Sequence, residues 1–204
     1  MKLSPSSGPS KLFENDYYSV SYSLGEGLVI ENKELKWRIN QPGRPLAGIL
    51  LQEEKGTLWT EQYSGREVRE GIGAGKISLI ESGPVFTRII LKGSFAKRDV
   101  PWPGFKSLRW QREFLCYHDL ERIDLRLRLD YQGKNTQIKM FLPLNLKKEQ
   151  IRSIYEIPFG AIEREPYQPG ESDIQYSSGG SWPALRWVCC QDQERALTIA
   201  HTGT

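Results

Sequence analysis

The chain is poor in the residues that most often carry metal or nucleophilic chemistry. It has two histidines and three cysteines in 204 residues, with no CxxC pair and no HxH triplet, so no zinc-binding pattern is present. No apolar run approaches the ~18 residues that a membrane span needs. The opening MKLSPSSGPSK lacks the apolar segment of a secretory signal. No basic run stands out: 28 Lys and Arg are interspersed with 25 Asp and Glu for a net charge of +3, which argues against a nucleic-acid partner. Neither nucleic acid nor membrane is therefore expected as a partner. Cys116, Cys189 and Cys190 are odd in number, and two of them are adjacent. A bridge between neighbours is strained, so free thiols in a reducing compartment, the cytoplasm, are expected.

What is present is globular. Apolar residues make up 38% and charged residues 26%, and a chain of this length buries about 70% of its unfolded surface. All-β folds reach this size as one domain. Residues 1–13 open on a Ser/Pro/Gly-rich stretch and read as a loose leader, with the folded domain over 14–204.

The periodicity is that of strands. From Arg122 to Tyr131, Ile123, Leu125, Leu127, Leu129 and Tyr131 alternate with Arg122, Asp124, Arg126, Arg128 and Asp130. Successive strand side chains point to opposite faces, so one apolar and one charged, solvated face is expected, its charges available for cross-strand pairing. The same alternation predicts strands over Leu35–Asn40, Ile77–Leu79, Val85–Lys92, Ile138–Leu142, Trp187–Cys190 and Ala196–Ala200, with turns at Ser82-Gly83-Pro84 and Gln132-Gly133-Lys134-Asn135. Short strands between turn signals point to a sandwich or barrel. The one helix candidate is a turn near Lys147–Ile151.

Few motifs invite a functional reading. Gly71, Gly73 and Gly75 form a GxGxG, but a phosphate loop needs a helix after it, and KISLIESGPV reads as strand and turn. His118 is followed by Asp119, but adjacent strand residues face apart, so a structural role is expected. Cys116 beside it has no accompanying oxyanion motif. The loop Val100-Pro101-Trp102-Pro103-Gly104-Phe105 either folds back as an apolar plug or stacks its aromatics on a sugar. In Tyr155–Pro166, carboxylates and an arginine crowd among apolar residues; the apolar members are expected to anchor the segment, while Glu163 and Arg164 either bond locally or line a polar cleft.

That segment, YEIPFGAIERE at 155–165, is followed by Trp182-Pro183-Ala184-Leu185-Arg186-Trp187-Val188 and Ala196-Leu197-Thr198-Ile199. Together they resemble the C-terminal β domain of glycoside hydrolase family 38 α-mannosidases. RIDLRLRLDYQGKNTQIKMFLPLNL at 122–146 is similar to the strand pair that precedes this motif in the family. Glu165 stands where the family usually has proline or a short polar residue, and the ending His201-Thr202-Gly203-Thr204 departs further.

The resemblance implies an all-β fold, a two-layer antiparallel β supersandwich similar to galactose mutarotases, continuing past Thr204. It implies a parent enzyme that is a retaining, zinc-dependent exo-α-mannosidase. The aspartate nucleophile and zinc ligands would lie in an N-terminal catalytic domain, so this chain alone is expected to be inactive and to hold no cofactor. Its partners would be that catalytic domain and an α-mannoside glycan, with self-association through an exposed sheet edge also expected. Tyr155, Glu163, Arg164 and Trp182 are the candidates for touching the glycan, and no catalytic residue is nominated. Two alternatives remain: a mutarotase-like epimerase, which needs a His acid and a carboxylate base facing one cleft, and a carbohydrate-binding module, which needs a row of exposed aromatics.

Overall fold

A computed structural model describes residues 9–57, 62–147, 150–164 and 183–202. Every strand pairing is antiparallel, and the described residues contain no α-helix; a 3-10 turn spans Lys97–Asp99. The fold class is all-β, as expected. The chain divides into two compact units, one reaching Asn145 and one made chiefly of Leu146 onward.

The first unit holds three sheets. One joins β1 (Ser10–Glu14), β2 (Tyr18–Ser23), β3 (Gly27–Asn32) and β4 (Trp37–Arg38) in order. A second places β5 (Gly48–Glu54) between β6 (Tyr63–Arg69) and β11 (Thr136–Phe141). The third runs β7 (Lys76–Ser82), β8 (Phe86–Ala96), β9 (Phe105–Tyr117) and β10 (Ile123–Gly133) as a meander. Alternation builds the core. Phe13, Val20, Leu28, Ile30 and Trp37 are buried from the first sheet, Ile49 and Leu51 from the second, and Ile89, Leu91, Leu108, Trp110 and Phe114 from the third. Leu28, Leu46, Leu91 and Phe114 come together around Arg112.

Arg112 is the centre of this core. It lies over the Trp110 ring at 4.0 Å, pairs with Glu70, and donates to the carbonyls of Leu46 at 2.7 Å and Ala47 at 3.0 Å. Glu70 accepts a further bond from the Ile49 amide at 3.0 Å. Burial pushes the Glu70 carboxyl up, opposed by the attraction of Arg112, and pushes the Arg112 guanidinium down, opposed by Glu70. The glycine-rich loop closes against this cluster: a β-carbon at Gly75 would meet Trp110 at 2.6 Å and Arg112 at 3.0 Å. Gly73 takes φ +78°, a left-handed conformation that glycine adopts without a Cβ clash. The GxGxG therefore makes a tight turn and a close backbone approach, followed by a strand.

Three expectations about boundaries need correction. Residues 10–13 are not leader: Ser10–Glu14 forms β1, paired with β2 with Phe13 opposite Val20, because Phe13 finds an apolar place to bury. The strand expected from Leu35 shrinks to Trp37–Arg38, since Lys36 adopts φ +47° in a turn that leaves Leu35 exposed. The turn at Ser82-Gly83-Pro84 extends to Val85, which is exposed, and β8 begins at Phe86. The helix candidate falls partly on residues 148–149, outside the described residues; Gln150 donates to the Lys147 carbonyl at 3.1 Å.

The second unit is a four-stranded sheet ordered β13 (Gly160–Arg164), β12 (Arg152–Ile157), β14 (Trp187–Gln191) and β15 (Ala196–Ala200). β12 and β13 form a hairpin whose turn is Pro158-Phe159, with Phe159 at φ +69°.

Candidate functional site

The sheet of the second unit positions the sequence-derived glycan candidates. Directly opposed antiparallel residues share a face. Tyr155 opposes Ile162 and Val188, Val188 opposes Ile199, and Ser153 opposes Arg164. Tyr155, Ile162, Arg164, Val188 and Ile199 thus make one largely apolar face, on which the Arg164 guanidinium lies 5.4 Å from the Tyr155 ring centre. Burial raises the Tyr155 phenol, with Cys190 adding and Arg164 opposing, so Tyr155 serves as a hydrogen-bonding hydroxyl and not as a phenolate.

Glu163 lies on the opposite face, opposed to Ile154. Arg152 grips it with two bonds, one of them Nε to Oε1 at 2.7 Å. The hydrogen bond from Arg152, then its charge, hold the Glu163 carboxyl below the usual carboxylate range. An acid catalyst for glycoside cleavage needs the reverse, a raised carboxyl. Glu156 shares that face through its opposition to Ala161, and its Oε2 is buried with no hydrogen-bond partner among the described residues. Tyr155 and Arg164 are therefore brought together, Glu163 is turned away from them, and Trp182 lies outside the described residues. Phe159 does not anchor its segment: it stands fully exposed at the hairpin tip, because the two-residue turn projects it away from both faces.

A shallow polar groove lies at the end of this sheet, lined by Gln150, Arg152, Gln191, Gln193 and Glu194. Its wall is fixed by the buried Asp192, a residue that the sequence reading passed over. The Asp192 carboxylate accepts the backbone amides of Lys147 at 3.0 Å and of Glu194 and Arg195 at 2.9 Å each. Those bonds, the Lys147 amide foremost, hold its carboxyl below the ordinary aspartate value. A Gln-Asp-Gln-Glu run between two strands was the only available signal, and it marks a turn as readily as a cap.

The remaining candidates are structural. Trp102 is 0% exposed and donates from Nε1 to Thr136 Oγ1 at 2.9 Å, so the Val100–Phe105 loop is the apolar plug and not a sugar platform. Trp37 and Trp110 are also buried, Trp187 is half-buried, and Trp59 and Trp182 lie outside the described residues. Among the described tryptophans none offers a fully exposed stacking face. His118 packs edge-on against Phe13, ring centres 5.6 Å apart, which leaves it badly placed as an epimerase acid. Cys116 is 0% exposed and burial pushes its thiol up to about 12, the opposite of an activated nucleophile. All three cysteines are free.

Among the described residues no three His, Cys, Asp or Glu side chains converge to hold a metal ion, so the donor set there does not fit zinc. No helix among them is long and apolar enough to cross a membrane. A family model described as the glycosyl hydrolases family 38 C-terminal domain matches residues 14–204. No curated protein matches the chain significantly.

Proposed function

The chain belongs to the glycosyl hydrolase family 38 C-terminal domains, and from that membership we propose that it is the non-catalytic β domain of a retaining, zinc-dependent α-mannosidase that hydrolyses terminal α-mannosides. Its role is to brace the N-terminal catalytic domain of the same parent chain and to line one wall of the sugar pocket. Pockets commonly form where domains meet, which suits a domain that supplies shape rather than chemistry. Zinc is assigned to the catalytic domain.

The family match carries this reading, since a C-terminal domain model accounts for residues 14–204. The side chains agree with it. Retaining cleavage needs two carboxyl groups about 5 Å apart across the scissile bond, and the candidate carboxylate Glu163 is committed to Arg152. On this reading Tyr155 and Arg164 are the glycan-facing residues, with the Tyr155 hydroxyl and the Arg164 guanidinium as donors to sugar oxygens. Glu163 serves instead to fix β13 against β12. The free thiols support a reducing compartment, the cytoplasm, as the place of action.

Hydrolysis of an aryl α-mannoside, measured with added zinc for this chain and for the parent enzyme, tests the proposal. Turnover by the parent alone is expected. Turnover by this chain alone overturns it.

A further inference from the structure

β10 is the edge strand of its sheet among the described residues, bonded to β9 on one side only. It runs for eleven residues and pairs regularly with β9 from Ile123 to Gln132. Long, regular edges are templates for further strand pairing unless something shields them. The apolar side of β10 is only half-covered: Ile123, Leu125 and Leu127 are half-buried and Leu129 is 43% exposed.

The order of charges on the other side selects an occupant. Consider two copies of β10 antiparallel about a two-fold axis at Arg126. Arg122 then faces Asp130 of the second copy, and Asp124 faces Arg128 of the second copy. The symmetry repeats both, giving two opposite-charge pairs on each side of the axis. On the apolar face the same register sets Leu125 against Leu127 and Ile123 against Leu129. Arg126 meets its own copy, the one like-charge contact of this register, while Glu113 of β9, in register on its other side, is itself paired with Arg88. Centring the axis on Leu127 instead sets Arg126 against Arg128 and Asp124 against Asp130, like charge against like, which is destabilising. The register centred on Arg126 thus sets opposite charges against each other everywhere but at the axis, whereas the one centred on Leu127 sets like against like.

We propose that this chain pairs with a second copy of itself edge to edge through β10, in the register centred on Arg126, forming a continuous antiparallel sheet across a two-fold axis. The interface is isologous, so each copy supplies both halves of every charge pair.

Complementary charge reversal followed by sedimentation equilibrium at low ionic strength tests this. Arg128 is exposed and makes no ion pair among the described residues, so Arg128→Asp leaves the monomer intact while setting two aspartates against each other twice per dimer. Asp124→Arg sets two arginines against each other in the same way, at the cost of the bonds that Asp124 accepts from Tyr117 and Arg122 in the monomer. The wild-type chain is expected to dimerise, and each variant alone to weaken the dimer about ten-fold or more. A one-to-one mixture of the two variants is expected to regain the dimer, because both facing 124–128 pairs are then opposite in charge. A monomeric wild type across the micromolar range overturns the proposal. So does an Arg128→Asp variant that associates as tightly as wild type, or a mixture of two natively folded variants that stays monomeric. Should Asp124→Arg lose its native near-ultraviolet circular dichroism, Arg128→Asp alone decides.

Discussion

Removing the guanidinium of Arg112 is expected to be the costliest single substitution in the first unit. Its side chain is 2% exposed and that of Glu70 1%. In Arg112→Met, Glu70 keeps only the Ile49 amide, and the carbonyls of Leu46 and Ala47 lose their donor. Breaking a buried pair from one side costs about 3–5 kcal/mol, and each orphaned carbonyl adds about 1 kcal/mol. A domain with a total stability of about 5–15 kcal/mol is left near its unfolding threshold. In Arg112→Met/Glu70→Gln, the amide oxygen still accepts from Ile49 and no charge is stranded, so the loss falls to about 2 kcal/mol from the two carbonyls. Adding Glu70→Gln to Arg112→Met thus restores about 3–5 kcal/mol, where an uncoupled substitution would restore nothing. Urea unfolding, followed through the fluorescence of Trp110 beneath the guanidinium, measures this. The sign with pH follows from Glu70. Its folded carboxyl is raised by burial, and losing Arg112 raises it further, so the folded state of the single variant holds a proton more tightly than the unfolded chain. The stability of that variant is therefore greatest below the ordinary glutamate value and lost as pH rises through the raised one. An additive double variant, or a single variant less than about 1 kcal/mol below wild type, refutes the reasoning.

Three further outcomes are expected. Gly93→Ala drives a methyl into the Trp110 ring and within 2.9 Å of the Ala74 carbonyl, costing about 1–3 kcal/mol in thermal or urea unfolding; a neutral result shows that the ring can move aside. Cys116, with its thiol raised to about 12, is expected to resist alkylation in the folded chain at neutral pH and to react only after unfolding. Mass mapping of iodoacetamide adducts checks this, and native labelling at Cys116 contradicts it. Asp192→Ala removes the acceptor of three backbone amides and is expected to speed hydrogen exchange at Glu194 and Arg195. The Asp192 carboxyl is held low in the folded state, so its contribution is complete above the ordinary aspartate range and fades as acid takes the pH through the lowered value. A wild-type advantage that persists unchanged in strong acid contradicts that assignment.

The legible parts of the fold were those where one strand face is buried and the other is not. Arg122–Tyr131 alternates cleanly and became β10, its Asp130 paired across the strand to Arg109 at 2.6 Å. The neighbouring β9 was illegible for the opposite reason. Arg112, Glu113, Phe114, Leu115 and Cys116 are all buried, so both faces are covered and no period of two survives. The Arg112–Glu70 pair joins residues far apart in sequence, and nothing local to either announces it. At the candidate site, the motif at 155–165 identified the segment, but not the parity of its side chains. The two-residue turn at Pro158-Phe159 sets Tyr155 and Arg164 on one face and Glu163 on the other, and a one-residue difference in that turn would have reversed the assignment.

The order of strands also has a kinetic consequence. β1 to β4 and β7 to β10 are meanders in which each strand meets its sequence neighbour, so those sheets assemble with little loop closure. β5 is different: it pairs with β11, Ile49 opposite Met140 and Leu51 opposite Ile138, across everything that lies between them. The chain between must be gathered before that register exists. The β5–β11 pairing is thus the one whose formation waits on the others, and while it waits Ile49 and Leu51, both fully buried at the end, stand open to water.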